Sequence, residues 1–191
     1  MSRKVARIDE RARRTRLAIA QAMIALGREQ AIDSISVGLL SRRAGIGRST
    51  FYAHYASLGD YLAQSYAGML EQYALQGSAE PEGEGKVLAV HHILAHIYSA
   101  GRFVGAVAQS RERPRMLAGG EDSLRRVAES NLARLRPRLT EAERRAAATF
   151  IAGGLMGLMR TWMDNGMRET PDQIRAAFEA SACAILDGLP V

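Results

Sequence analysis

The stretch RRAGIGRSTFYAHY, residues 42–55, sets arginine, hydroxyl, tyrosine and histidine side chains close behind two glycines. Such a set suits one of two tasks. The first is a phosphate-cradling loop, GxxxxGK[ST], in which glycines let backbone amides surround the phosphates and a lysine reaches the terminal ones. Here Arg42 stands at the first glycine, Arg48 replaces the lysine, and no strand-like segment precedes the loop. The second task is a turn between two helices that offers a short helix to DNA. In the major groove an arginine pairs bidentately with guanine and a serine bonds several base edges. Val37, Leu40 and Ala44 would bury one face of the leading helix, Gly45 would make the turn with Ile46 in its corner, and Phe51 would anchor the following helix. Arg48, Ser49, Ala53 and the ring edge of Tyr52 are then left facing outward, with Tyr52 and His54 suited to phosphate.

Other residues able to do chemistry are sparse. His92 and His96 stand one helical turn apart, as zinc-binding pairs do, but no third ligand lies near them in sequence, so neither a metal nor any other cofactor is expected. Cys183 is alone in an apolar segment, which excludes an internal disulfide and suits a reducing, cytoplasmic compartment. No carboxylate pair is placed with a histidine, which weighs against a small helical enzyme.

These side chains need elements to position them. The chain has 191 residues, 47% of them hydrophobic, enough for a sizeable core in one domain or two small ones. Strand-like alternation persists nowhere, while helical spacing recurs throughout, so the fold class is all-α. Helices are expected over 12–28, with Thr15 placed to cap it, over 37–44 with Ser36 as cap, over 48–55, and from Ser57 through Tyr73. Residues 76–86 read as a loop, followed by helices over 86–110 with a break near Gly101, and over 121–135. Thr140 with Glu143, and Thr170 with Gln173, fit capping boxes that start helices over 141–166 and 171–187. The run RARRTRLAIAQAMIALG has the outline of a signal peptide, but Gln21 interrupts it, and Ala18, Ala22 and Leu26 share a helical face.

Charge is unevenly placed. The net charge is +6, and residues 1–60 hold eleven Lys and Arg against five Asp and Glu, while the remainder holds fifteen of each. The whole excess lies in the first third, as expected if that third meets a polyanion. A helical adaptor whose basic arm meets acidic partners remains the alternative. Between Arg145 and Arg160 lie fourteen uncharged residues, AAATFIAGGLMGLM, too few to span a bilayer. A helix apolar all round calls for burial all round, which packing against a second copy would provide. Gly153 and Gly157 would admit a close neighbour, and the expected interface residues are Ile151, Leu155, Leu158, Ile174, Phe178 and Ile185.

The run SVGLLSRRAGIGRSTFYAHYASLGDYL resembles the DNA-binding segment of the TetR family of transcriptional regulators, specifically at Ala44, Gly45, Ile46, Thr50, Phe51, Tyr52, His54 and Tyr55. Leu58 replaces a lysine common in that family, Gly47 a capping serine and Leu39 a polar residue. The resemblance spans 12 to about 72 and implies a helix-turn-helix domain over 12–72, with the motif at 36–55, and a helical regulatory and dimerisation domain over 73–191. It implies a homodimer that binds a palindromic operator in double-stranded DNA and releases it when a small ligand occupies the C-terminal domain, with no membrane partner. The candidate DNA contacts are Ser36, Val37, Arg48, Ser49, Thr50, Tyr52, Ala53 and His54. The candidate pocket residues are Tyr73, His92, His96, Tyr98, Phe103, Phe150, Met156 and Trp162. The segment WMDNGMRETPDQI also resembles the start of the family's last helix.

Overall fold

The computed structural model describes residues 3–189. Side chains of residues 3–9 and of residue 102 lie outside the description, and with them Arg3, Lys4 and Arg7 of the basic arm. The described elements are α1 Arg3–Glu29, α2 Val37–Arg43, α3 Arg48–Tyr52, α4 Leu58–Ser78, α5 His91–Ala108, α6 Arg113–Leu135, α7 Glu141–Asp164 and α8 Pro171–Asp187, with 3-10 turns at Ile32–Ser34 and Pro81–Gly83. No strand occurs among the described residues, and no helix among them is long and apolar enough to cross a membrane.

The local signals explain most of the starts. Ser36 Oγ accepts from the Leu39 amide at 3.1 Å and Ser57 Oγ from the Asp60 amide at 3.0 Å, satisfying donors that a helix start leaves unpaired. Thr140 and Thr170 each close a capping box, with Glu143 and Gln173. Three starts differ from expectation. Thr15 caps nothing: α1 begins well before it, and its hydroxyl donates to the Arg11 carbonyl at 3.1 Å inside the helix. α5 begins at His91 rather than 86, because the preceding chain turns at Pro81–Gly83 and presses Gly83 against the Gly77 backbone. α6 begins at Arg113 rather than 121, with Pro114 in its first turn, where a missing amide proton costs nothing.

Packing divides the side chains into two apolar clusters joined by one helix. Ile19, Met23 and Leu26 of α1 meet Leu40, Phe51, Tyr61 and Leu62 in the N-terminal cluster. Leu70 and Ala74 of α4 meet α5, α6, α7 and Phe178 of α8 in the larger C-terminal one. α4 runs through both, and Tyr66 touches both, so residues 72 and 73 fall inside a continuous helix and not at a linker. α5 also serves both clusters. Gly101 interrupts it at φ 36° and ψ −102°, a conformation that side-chain-bearing residues rarely adopt, and the bend lays Phe103 on Gly27 of α1.

α4 and α6 pack against each other more extensively than any other pair of helices. A Cβ built on Gly120 would stand 2.6 Å from Tyr66 Cε1 and 2.7 Å from Leu70 Cδ1, whereas one on Gly119 would meet nothing nearer than the Ala63 carbonyl at 3.7 Å. Neighbouring glycines in one helix should therefore respond with opposite signs. Thermal denaturation should find Gly120→Ala destabilised by about 1–3 kcal/mol through overpacking. Gly119→Ala should gain about 0.5–1 kcal/mol from the restricted unfolded chain.

Candidate nucleic-acid interface and ligand cavity

The turn between α2 and α3 is closed by its backbone. The Ile46 amide donates to the Ser41 carbonyl at 3.0 Å and the Gly45 amide to the Arg42 carbonyl at 3.2 Å, a Schellman pair that requires a left-handed residue, met by Gly45 at φ 66°. Phe51 then locks α3 to the core. It is fully buried, with Tyr55 and Tyr61 rings 5.5 and 6.4 Å away and Tyr52 edge-on at 5.6 Å. Burial of such a ring contributes about 1.5–3 kcal/mol, enough to hold so short a helix in place. Asp60 finishes the frame from α4: it accepts from the Gln64 side chain and the Ala56 amide, and those bonds hold its carboxyl below the ordinary range.

What remains outside is the expected face. Arg48, Ser49, Tyr52 and Ala53 are exposed, and Thr50 and His54 are half-buried. Ser49, Thr50, Ala53 and His54 share a shallow open depression with Arg11, Ala12 and Thr15 of α1, so the basic helix borders the recognition helix. Glu10 neutralises part of this arm. Hydrogen bonds from Arg13 and then Arg14 push its carboxyl down to about 2. Arg11, Arg16, Arg42 and Arg48 have no ion-pair partner among the described residues, which leaves their charge available. Three α2–α3 contacts differ from a free reading head. Ser36 Oγ is used as the α2 cap, Val37 packs against the N-terminal cluster, and the Arg48 guanidinium lies across Gly38, within 2.7 Å of where a Cβ would stand. The Arg48 guanidinium is thus laid along α2 and would have to swing off it to reach outward.

The candidate pocket residues separate. His96 and Phe103 line a cavity of about 90 Å³ together with Tyr66, Met69, Ile97, Val104, Val107, Met116, Leu117, Met163 and Arg113. Tyr73 is not among these lining residues; its hydroxyl shares a 3.1 Å hydrogen bond with His96 Nδ1. Met156 and Trp162 are core residues, Trp162 donating from Nε1 to the Glu169 carbonyl at 2.9 Å with Tyr98, half exposed, stacked on it at 6.0 Å. Phe150 is 73% exposed on the outside of α7, because that side of the helix has no neighbour within the chain. His92 turns away from His96 toward Glu80 and His91. Sequence spacing named two of the lining residues; Tyr66, Met69, Met116 and Met163 come from three other helices and carry no local signal.

The interface residues need a matching correction. Ile151, Leu155, Ile174 and Phe178 lie in the chain's own core and Leu158 and Ile185 are half-buried against it, so they back the outer surface without forming it. The outer faces of α7 and α8 instead carry Ala146, Phe150, Gly154, Ala177, Ser181 and Ala184.

A basic helix beside an outward recognition helix, carried on an all-helical body with its own cavity, is the arrangement of a helix-turn-helix regulator. Residues 89–181 match a TetR family model described as a transcriptional regulator C-terminal region. Among solved structures, a TetR transcriptional regulator from Rhodococcus sp. RHA1 superposes with TM-score 0.64 at 12% identity, over 93% of this chain and 98% of the other. One from Streptococcus agalactiae 2603V gives 0.60 at 20%, over 93% and 98%. NalD of Pseudomonas aeruginosa, the secondary repressor of the MexAB-OprM multidrug efflux pump, gives 0.55 at 18%, over 91% and 96%. No curated protein sequence matches the chain. The chain thus resembles the TetR regulators in its C-terminal region and shares their fold over most of its length.

Burial lowers the affinity of His96 for its proton, which ties the cavity to pH. The folded chain disfavours the charged imidazole, so its contribution is present above the ordinary value of 6.5 and is lost as pH falls through the depressed folded value. Urea denaturation should show stability declining as pH falls through about 6.5 and below it. His96→Gln, which keeps an acceptor for Tyr73, should flatten that decline.

Proposed function

We propose that two copies of the chain form a repressor that grips a palindromic operator through α3 and α1 and releases it when a small, largely apolar molecule enters the cavity. The observation that carries this reading is the shared depression between Arg11, Ala12 and Thr15 of α1 and Ser49, Thr50, Ala53 and His54 around α3. It joins phosphate-seeking charge to base-reading groups on one surface. In the reading, Arg48 and Ser49 meet bases, Ala53 and Thr50 meet thymine methyl or phosphate, and Tyr52 and His54 meet phosphate. Ser36 and Val37 bring the start of α2 to the backbone.

Ligand response is supported by what the cavity touches. Met116 lines it and also belongs to the N-terminal cluster, and Phe103 and Val107 do both as well. The corner between α5 and α6 rests on the DNA-binding part: the Arg111 amide and Nε donate to Asp33 at 3.1 and 3.2 Å, and Glu112 lies against Gly59 at the start of α4. At about 90 Å³ the cavity is smaller than a drug-sized site, so a ligand must push its walls apart and that corner must move. Such a ligand shifts the population only by binding the expanded, DNA-incompetent form more tightly. Repression as the output follows NalD, a repressor that shares this fold.

Selection of bound sequences from a random duplex pool tests the reading. A palindrome with half-sites about 34–36 Å apart, or a multiple, is expected, and an absence of enrichment sinks it. Arg48→Ala should cost about 1–3 kcal/mol on the selected site and little on random DNA; equal losses on both would remove its base-reading role. Phe150→Arg should convert dimer to monomer in analytical ultracentrifugation, with an unchanged fold by circular dichroism.

A further inference from the structure

Glu80 of the α4–α5 connection and the first two residues of α5 form a cluster that the DNA and cavity readings do not use. His91 Nε2 lies 3.0 Å from Glu80 Oε2, and His92 Nε2 lies 2.8 Å from Glu80 Oε1. One donor atom from each of the three residues falls within 4.8 Å of the others, and all three side chains are half-buried. We propose that Glu80, His91 and His92 form a binding site for a divalent transition cation of the zinc, cobalt and nickel class.

Two imidazole nitrogens and one carboxylate oxygen are the donor set of that class, and three protein ligands leave a coordination position for water. Ligands of a tetrahedral ion bonded at roughly 2.0–2.2 Å stand a little farther apart than these hydrogen-bonded atoms, so loading needs only a small opening. The surroundings hold the ligands in place beforehand. The Glu80 amide donates to the Gly77 carbonyl at 3.3 Å, and the turn at Pro81–Gly83 packs onto that same backbone. His91 Cε1 would come 3.0 Å from a Cβ on Gly77, and the two imidazoles lie tilted against each other with centroids 4.2 Å apart. On the far side the Tyr73 ring lies 6.3 Å from His92 and 4.9 Å from His96.

His96 lies outside the set: it is not part of the group whose donor atoms converge within 4.8 Å, and its Nδ1 shares a hydrogen bond with Tyr73. His91 and His92 open α5, where the partial positive charge of a helix start opposes a cation; the Glu80 carboxylate offsets it. Binding requires neutral imidazoles, so affinity falls on acidification. A bound ion would clasp the end of α4 to the start of α5, the helix whose far half lines the cavity and meets α1. The site does not depend on the repressor reading.

Calorimetric titration of tag-free full-length protein with zinc chloride tests it, with cobalt(II) absorption reporting the ligand field. The expected result is one ion per chain, with visible cobalt bands. Affinity should fall by about a hundredfold or more in Glu80→Ala, His91→Ala and His92→Ala, while His96→Ala and Cys183→Ser bind as the parent does. Thermal melts confirm folding, and Glu80→Gln, which keeps hydrogen bonding without the charge, covers an alanine variant that melts early. No uptake by the parent, unchanged uptake in either His91→Ala or His92→Ala, or loss in Cys183→Ser would overturn the proposal.

Discussion

The contact on which the rest depends is the seat of Tyr66 and Leu70 of α4 against Gly120 of α6. It lets two long helices approach closely enough for one of them, α4, to be shared by both clusters. Tyr66 is also the wall of the cavity on that side, and its buried hydroxyl, pushed up to about 12 by desolvation, finds no partner in the protein among the described residues. An unsatisfied buried hydroxyl is costly, and a guest or a water molecule bearing an acceptor would relieve it. The same seam that makes the fold continuous thus leaves an unpaired hydroxyl on a residue that lines the cavity.

Electrostatics sort the molecule by region. In α6 to α8, arginines find acids within their own turn or nearby, as in Arg125 with Glu129 at 2.5 Å, Arg145 with Glu141 at 2.9 Å and Arg175 with Asp172 at 3.0 Å. Surface pairs of this kind add little stability, typically about 0–1 kcal/mol each, but they cancel charge. Around α1 to α3, among the described residues, only Glu10 and Glu29 neutralise arginines in this way, through Arg13, Arg14 and Arg43. The surplus that remains surrounds the recognition helix, which is where long-range attraction to a phosphate backbone is useful.

Motion between the two parts has few routes. The bend at Gly101 lets one helix line the cavity and also rest on α1, and the corner after it is tied to Asp33 and Gly59. A rearrangement of α5 or of the α6 start is therefore felt at both ends of α4. The cluster at Glu80, His91 and His92 sits at the opposite end of the same helices.

Much of the helical frame was legible in order along the chain. Ser36, Ser57, Thr140 and Thr170 announce helix starts because capping is a local hydrogen bond, settled within four residues. Gly45, Ile46 and Phe51 announce the turn for the same reason, and the outward set from Arg48 to Ala53 follows from helical periodicity once Phe51 is inside. Long-range packing decided the remainder. Ile151, Leu155, Ile174 and Phe178 read as an apolar surface but lie in the core, since periodicity states that a face is buried and not by which neighbour. His92 and His96, adjacent on one helical face in sequence terms, were divided between Glu80 and Tyr73 by a loop that folds back and a helix that packs alongside. Sequence by itself determined the helices, the turn and the charged pole, all properties of neighbours in the chain. Only the tertiary structure decided the cavity, the outer face and the histidine partners, because those depend on side chains brought together from distant helices.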